Sequence, residues 1–268
     1  MLYVFAVAMF ALFAKWPHVD WNIFVLLIVA HLAMQLAIGV TNDYCDRHRD
    51  VLSKKNKPIV HGLVLPHEAL FTAFLLMVIM VLLLIAVNPW VLLVALLYLA
   101  CMQGYNLGLK GTPLSGLVFA LGTPLIPVYA YVGQGRLDEL WLWAQIPVAA
   151  LLGVAFNLAN SLPDIQEDVA SEANTLAVKL GLKRSLVVCS LLVLLAAIVI
   201  GILIAVGLVS VHHRWLLLLT LFFVPSAVGI LYVIFAKKET HKALKIYFYI
   251  FTLLCLVFGA GLIFSALG

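Results

Sequence analysis

Apolar residues run through this chain in long stretches that are separated by short polar segments. Most stretches approach the roughly 20 residues that a helix needs to cross a bilayer, and they lack the alternation that is typical of membrane-spanning strands. The pattern predicts an all-α membrane protein with about nine transmembrane helices in a bundle, and residues 1–268 are interpreted as a single polytopic membrane domain. The predicted spans are approximately 1–14, 22–44, 67–87, 89–106, 114–133, 140–162, 185–207, 214–235 and 246–267.

The composition excludes a large soluble domain. Hydrophobic residues make up 65% of the 268 residues and charged residues only 10%, whereas soluble domains carry roughly a quarter charged residues. The four cysteines have no paired spacing, so neither a disulfide framework nor a zinc site is indicated. The net charge of +4 comes from lysines and arginines in short loops between spans, and it does not indicate nucleic-acid binding.

The distribution of basic residues predicts the orientation in the membrane. If the amino terminus is cytoplasmic, 13 of the 16 basic residues fall in inner loops, as the positive-inside rule requires. We therefore expect a multi-pass protein of a prokaryotic cell membrane with its site on the cytoplasmic side. The inner residues are Arg47, Arg49, Lys54, Lys55, Lys57, Lys110, Lys179, Lys183, Arg184, Lys237, Lys238, Lys242 and Lys245, and the outer ones are Lys15, Arg136 and Arg214.

Two acidic segments lie at the predicted inner ends of the second and sixth spans. The first is 42–50 and the second is 160–168, and both have the spacing Asn-x-x-x-Asp-x-x-x-Asp. An even number of spans separates them, so both are expected on the same membrane face, where they can line one inward-facing cavity. The shared spacing also suggests a faint internal repeat.

Helical spacing predicts which of these side chains share a face. Residues four apart lie on one side of a helix, which groups Asn42 with Asp46 and Asp50 and leaves Asp43 near the same stripe. In the second segment a proline at position 163 is expected to kink or start a helix, so only the following pair is predicted to be co-facial. That pair is Asp164 and Asp168, which Asn160 precedes.

Carboxylates that face one cavity repel one another and call for cations. Oxygen ligands without a histidine or cysteine at ligand spacing favour Mg²⁺ over zinc or copper, and Mg²⁺ in proteins is commonly shared with substrate phosphates. Basic residues that follow the acidic segments could contact such phosphates, and the apolar spans suit a long hydrocarbon. These basic residues are Lys54, Lys55, Lys57, Lys110, Lys179, Lys183 and Arg184.

A simpler interpretation exists for each of these features. Acids and bases at a helix end are commonly a solvated loop, and positive-inside topology explains most individual lysines without any further role. The recurrence of one spacing on one predicted face favours a functional site over two unrelated loops.

In these residues the sequence resembles the UbiA superfamily of intramembrane prenyltransferases, and the resemblance covers nearly the whole chain. It implies a helical bundle around a central, lipid-accessible cavity. It also implies a Mg²⁺-dependent enzyme that ionises an isoprenyl diphosphate, transfers the prenyl group to a small acceptor and releases diphosphate. The matching elements are 42–50 (N-D-x-x-D-x-x-x-D), 57–62 (Lys-Pro-Ile-Val-His-Gly), 105–110, 162–168 and 175–181.

The resemblance also implies roles for single residues. The metal ligands would be Asn42, Asp46, Asp50, Asp164 and Asp168, and the same four aspartates are expected to be catalytic. Tyr105 and Lys110 are also expected to be catalytic, because they fall where the family places residues near the diphosphate and the reacting carbon. The substrate-binding residues would be Asn42, Asp43, Lys57, Asn160 and Lys179, with Lys57 standing where many members have arginine.

The acceptor and the oligomeric state stay open at this level, since aromatic compounds and lipid precursors both serve as acceptors in this family. Two other function classes also stay open. Intramembrane acids and a weak repeat are features of cation-coupled secondary transporters. A non-catalytic protein that binds lipid diphosphates would carry the same ligands and would show no turnover.

Overall fold

The computed structural model describes residues 2–52, 56–170 and 172–267, and all regular structure in these ranges is helical. A 3-10 turn at Leu109–Gly111 follows the fourth helix. The α-helices are α1 (Leu2–Ala14), α2 (Trp21–Leu52), α3 (Pro66–Ile85), α4 (Pro89–Asn106), α5 (Ser115–Gly122), α6 (Leu125–Gly133), α7 (Leu140–Ser161), α8 (Ile165–Ala170), α9 (Leu176–Ala205), α10 (Arg214–Phe235) and α11 (His241–Ala266).

The all-α membrane prediction is confirmed. Within the described residues, eight segments are long and apolar enough to cross a membrane, and α1 is a shorter apolar helix. The fifth predicted span is divided into α5 and α6, which Thr123 and Pro124 separate. A proline has no N–H group for the helical hydrogen bond, which accounts for the break.

Several helices continue beyond the predicted apolar spans. α2 runs to Leu52, α9 begins at Leu176 and α11 begins at His241, so each adds polar turns to its apolar stretch. Hydropathy marks where a chain crosses the bilayer, whereas helical hydrogen bonding continues into the polar segment. Inside α9, Gly181 has a φ of +72° and interrupts the helix, a conformation that favours glycine.

The chain separates into two compact units. The amino-terminal unit comprises residues 1–108 and 125–137, and the carboxy-terminal unit comprises 109–124 and 138–268. The single polytopic domain expected over 1–268 remains a prediction.

In the amino-terminal unit, α2 packs against α1, α3 and α4, while α6 packs against α1 and α4. The Tyr129 hydroxyl on α6 donates a hydrogen bond of 2.9 Å to the Leu27 carbonyl on α2. Gly133 lies so close to the Leu27 side chain that a Cβ atom would overlap it. These contacts fix α6 against the amino-terminal part of α2.

The carboxy-terminal unit is built around α7, which packs against α5, α9 and α11. Small buried residues allow the close approach of α7 and α9, since Ala155, Ala159 and Ala196 are fully buried. The Cys189 thiol on α9 donates to the Ala155 carbonyl over 3.5 Å. Phe251 and Phe258 fill the contact of α11 with this core.

Large apolar side chains cover the outside of both units. Phe71, Phe222 and Val233 are exposed by 66%, 71% and 72%. Exposure of apolar side chains on this scale is unfavourable in water and favourable in lipid. The protein is therefore a multi-pass integral membrane protein.

The packing of α5 on α7 predicts the effect of one methyl group. A Cβ atom at Gly153 would lie 2.5 Å from the Phe119 carbonyl oxygen and 2.5 Å from the Thr123 hydroxyl. Because a backbone carbonyl cannot rotate away, we expect Gly153→Ala to cost about 1–3 kcal/mol of stability, as overpacking typically does. Thermal unfolding in detergent measures this cost.

Gly229→Ala is the matched control, because a Cβ atom at Gly229 in α10 of the same unit would meet nothing within 4 Å. It should leave the unfolding temperature unchanged or raise it slightly. Equal unfolding temperatures for Gly153→Ala and the wild type would contradict the close packing of α5 on α7.

Candidate functional site

The first acidic segment lies on the last turns of the uninterrupted helix α2. Asn42, Asp46 and Asp50 therefore share one face, as their spacing predicts. Asn42, Asp43 and Asp46 are half-buried, whereas Asp50 is only 3% exposed. A carboxylate buried to this degree requires a cation or hydrogen-bond donors nearby.

Lys57 supplies a cation to this face. Its Nζ atom lies 2.7 Å from Oδ1 of Asp43 and 2.8 Å from Oδ2 of Asp50. The two aspartates are separated by two helical turns, so the ammonium group connects carboxylates from different turns of α2. The sequence places Lys57 near the acidic segment, but these two ion pairs could not be predicted from it.

A tight turn holds Lys57 in this position. The N–H of Leu63 donates to the Pro58 carbonyl over 2.9 Å, and the N–H of His61 donates to the Lys57 carbonyl over 3.1 Å. Gly62 has a φ of +68°, which favours glycine in the turn. Lys54 and Lys55, which we expected to contact phosphates, lie outside the described residues.

The acidic partners raise the pKa of Lys57. Burial alone lowers the pKa of this ammonium group, but the hydrogen bonds and charges of Asp43 and Asp50 outweigh burial, so the pKa lies above its ordinary value. A raised pKa stabilises the fold at every pH below the ordinary lysine value, and the contribution is lost only as the pH rises through the raised pKa. The ion pairs are therefore intact at neutral pH.

Two amide side chains of α4 donate hydrogen bonds to α2, one turn before the first acidic segment, and hold α4 against α2. The Asn106 amide donates 3.0 Å to the Ile38 carbonyl, and the Gln103 amide donates 3.3 Å to the Thr41 hydroxyl. Tyr105, a predicted catalytic residue, lies between these two amides in the sequence, and its side chain is half-buried. Polar amides in an apolar span were a signal for this contact, and the sequence analysis missed it.

The second acidic segment differs from the first because its backbone is not one helix. α7 ends at Ser161 and α8 begins at Ile165, so Pro163 and Asp164 lie in a break. The N–H of Asp168 donates to the Asp164 carbonyl over 2.8 Å, which places these two aspartates one helical turn apart as expected. Asn160 is exposed near the end of α7, on the far side of the break.

The segment that follows α8 is tied to both Asp168 and the loop of Lys110. The Thr175 hydroxyl donates 3.5 Å to Oδ2 of Asp168 and accepts a hydrogen bond from the Val178 N–H at the start of α9. The Asn174 N–H donates to the Gly111 carbonyl over 3.1 Å. Lys110 is half-buried in this loop.

Lys179 is exposed on the first turn of α9. The carboxy-terminal unit thus places four of the predicted site residues on neighbouring polar segments, namely Asp164, Asp168, Lys110 and Lys179.

Two residues beside Asp164 were given no role in the sequence analysis, namely Glu167 within the second acidic segment and His241 outside it. Ligand atoms of Asp164, Glu167 and His241 lie within 4.8 Å of one another. His241 is far from the other two in sequence, and it begins α11. A lone histidine at a helix start carries no spacing signal, so only the tertiary structure could identify it.

Apolar membrane-spanning helices whose polar ends carry carboxylates, amides and lysines define the class of multi-pass membrane proteins. The chain belongs to the UbiA prenyltransferase family, whose model matches residues 2–264. This confirms the family resemblance.

Individual relatives match only part of this chain, and their sequence identity is modest. A digeranylgeranylglyceryl phosphate synthase of Methanoregula boonei is 30% identical over 165 residues, which cover 60% of this chain and 58% of the relative. The match thus spans less than two thirds of that relative.

Solved structures share the fold over nearly the whole chain. The apo structure of a UbiA homologue from Aeropyrum pernix K1 has a TM-score of 0.76 at 20% identity, with 99% of this chain and 98% of that chain covered. A UbiA homologue from Archaeoglobus fulgidus bound to GPP and Mg²⁺ has a TM-score of 0.68 at 16% identity, with coverage of 97% and 95%.

The ion pairs of Lys57 predict a stability test. Lys57→Met removes one cation that contacts the buried Asp50, and we expect a loss of about 1–3 kcal/mol, the usual cost of removing a hydrogen-bonded partner from a buried polar group. The double variant Lys57→Met/Asp50→Asn should recover most of this loss, because the buried charge is removed as well. Chemical or thermal unfolding of the three proteins in detergent measures both effects.

Lys237→Met is the control, because Lys237 is exposed. It should match the wild type. A Lys57→Met variant as stable as the wild type would show that the two ion pairs contribute nothing to the fold.

Proposed function

We propose that this protein is a Mg²⁺-dependent intramembrane prenyltransferase. It ionises an isoprenyl diphosphate, transfers the prenyl group to a small acceptor and releases diphosphate. The observation that carries the proposal is the presence, in a chain of the UbiA prenyltransferase family, of two acidic segments at the polar ends of apolar helices.

The donor set fits Mg²⁺. The proposed ligands are the Asn42 amide and the carboxylates of Asp46, Asp50, Asp164 and Asp168, which offer oxygen atoms of the kind that Mg²⁺ prefers. One of the similar solved structures carries GPP and Mg²⁺, which supports both the metal and the substrate class.

The ion pair between Lys57 and Asp50 gives this site a specific feature. In the present structure the Lys57 ammonium balances Asp50, so a divalent cation at Asp50 competes with this lysine. A lysine displaced from Asp50 would be available to a diphosphate as a point charge. Lys57 therefore serves as the counter-ion of the carboxylates first and as a phosphate ligand afterwards.

The chemistry follows from charge separation. Cleavage of an allylic C–O bond leaves a delocalised carbocation on the prenyl chain and negative charge on the leaving diphosphate. Bound Mg²⁺ supplies electrostatic stabilisation of that negative charge. Lys57, Lys110 and Lys179 add positive charge, and Tyr105 is assigned to the vicinity of the reacting carbon. The apolar helices exclude water until an electron-rich acceptor atom captures the carbocation, and the adduct then releases the acceptor's proton.

The acceptor is proposed to be a small aromatic compound or a lipid precursor. The name of the Methanoregula boonei relative points to a glycerol phosphate lipid. The positive-inside distribution supports a site on the cytoplasmic side of the membrane, which we propose to be a prokaryotic cell membrane.

Activity with purified protein tests the proposal. Incubation with geranylgeranyl diphosphate and either geranylgeranylglyceryl phosphate or 4-hydroxybenzoate should release diphosphate and form a prenylated product only when Mg²⁺ is present. Asp46→Asn and Asp164→Asn should each lower the rate at least roughly 100-fold, because each removes a charge that holds the metal and the leaving group.

Glu172→Gln is the matched control, since Glu172 is exposed and lies outside both acidic segments. Full activity of Asp46→Asn or Asp164→Asn would refute the assignment. Counterflow of a solute into proteoliposomes without product would favour a transporter, and diphosphate binding without turnover would favour a binding protein.

A further inference from the structure

Two hydrogen bonds join the second acidic segment to the turn between α10 and α11. Nδ1 of His241 lies 2.9 Å from the Pro163 carbonyl oxygen, and Nε2 of Gln166 lies 3.3 Å from the Glu239 carbonyl oxygen. A carbonyl only accepts hydrogen bonds, so Nδ1 of His241 carries the proton and donates. Each segment thus contributes one donor side chain and one backbone carbonyl, and we call this reciprocal pair the clasp.

The clasp surrounds Asp164. Pro163 directly precedes Asp164, and Gln166 follows it by two residues. Nδ1 of His241 is also 3.5 Å from Oδ1 of Asp164. The contacts join residues 78 and 73 positions apart in the chain, so they fix the acidic segment to a different part of the carboxy-terminal unit.

Asp164 has a particular need for such a contact. It lies in the break between α7 and α8, where the helical hydrogen bonds of a continuous helix are interrupted. The first acidic segment has the uninterrupted α2 to orient its carboxylates, and the second segment does not. Its orientation therefore depends on tertiary contacts.

We propose that His241 is a positioning residue, which holds the break so that the Asp164 carboxylate is oriented for the metal and diphosphate before they bind. The inference rests on the proposed function, because it assigns a role in orienting one of the proposed metal ligands. Groups that orient a metal ligand typically contribute roughly tenfold or more to metal affinity. Gln166 supports the same geometry through the Glu239 carbonyl.

Binding without turnover tests the inference. The probe is geranyl S-thiolodiphosphate, a diphosphate that ionises very slowly, and calorimetry measures the Mg²⁺ concentration that gives half-maximal binding. We expect His241→Ala to raise this concentration roughly tenfold. His241→Asn should restore most of the loss, because the asparagine amide places an N–H donor near the position of Nδ1.

His212→Ala is the matched control. Nδ1 of His212 also lies 2.9 Å from a backbone carbonyl, that of Ala266, and both residues are in the carboxy-terminal unit. His212 precedes α10 and His241 follows it, so the 22 residues of this helix separate them by about 33 Å. Loss of this similar hydrogen bond should leave the Mg²⁺ dependence unchanged.

A double variant shows whether His241 acts through Asp164. In an Asp164→Asn background, His241→Ala should cause no further change in the Mg²⁺ dependence. If His241→Ala yields less folded protein but leaves the Mg²⁺ requirement unchanged, His241 has a merely structural role and the inference is overturned.

The outcomes separate this inference from the proposed function. If Asp164→Asn raises the Mg²⁺ requirement while His241→Ala binds as the wild type does, the positioning role is wrong and the proposed metal site stands. If Asp164→Asn binds as the wild type does, the proposed metal site itself is wrong, and the positioning role fails with it.

Discussion

Carboxylates that share one helix face repel one another, and this repulsion must be offset where the helix leaves the membrane. On α2 the Lys57 ammonium offsets it by bridging Asp43 and Asp50 at 2.7 and 2.8 Å. The two ion pairs thus place a positive charge beside the half-buried Asp43 and the buried Asp50. Under the proposed function, a divalent cation held by Asp50 would exchange one positive charge for another, so the affinity for Mg²⁺ would include the cost of displacing Lys57.

The two acidic segments reach their geometry by different physical means. The first is oriented by an uninterrupted helix, and the amides of Gln103 and Asn106 fix that helix to α4. The second is interrupted at Pro163, so it relies on hydrogen bonds from the turn before α11 and from Thr175. The same spacing in sequence thus corresponds to a continuous helix in one segment and to a helix break in the other.

Much of the fold could be predicted from the sequence, because hydropathy directly reflects the cost of placing polar groups in lipid. The positions of the spans and the break before α6 follow from this rule and from Pro124. The polar helix ends could not be predicted in the same way, since hydropathy marks the bilayer and not the last hydrogen bond of α2 or the first of α11.

The candidate site could be predicted only where its residues are close in sequence. The stripe of Asn42, Asp46 and Asp50 follows from helical periodicity. The contact of His241 with Pro163 depends on how α10 and α11 return to the end of α7, and nothing in the local sequence encodes that return. The roles of the predicted residues remain proposals.

We propose that Mg²⁺-dependent diphosphate binding requires the carboxylates of both acidic segments, and thermodynamic coupling in binding tests this requirement most directly. Affinity for geranyl S-thiolodiphosphate at fixed Mg²⁺ would be measured for the wild type, Asp46→Asn, Asp164→Asn and the double variant. If one diphosphate needs both segments, each single substitution removes most of the affinity and the double variant is little worse than either. Losses that add independently, or a single variant that binds as the wild type does, would contradict the claim.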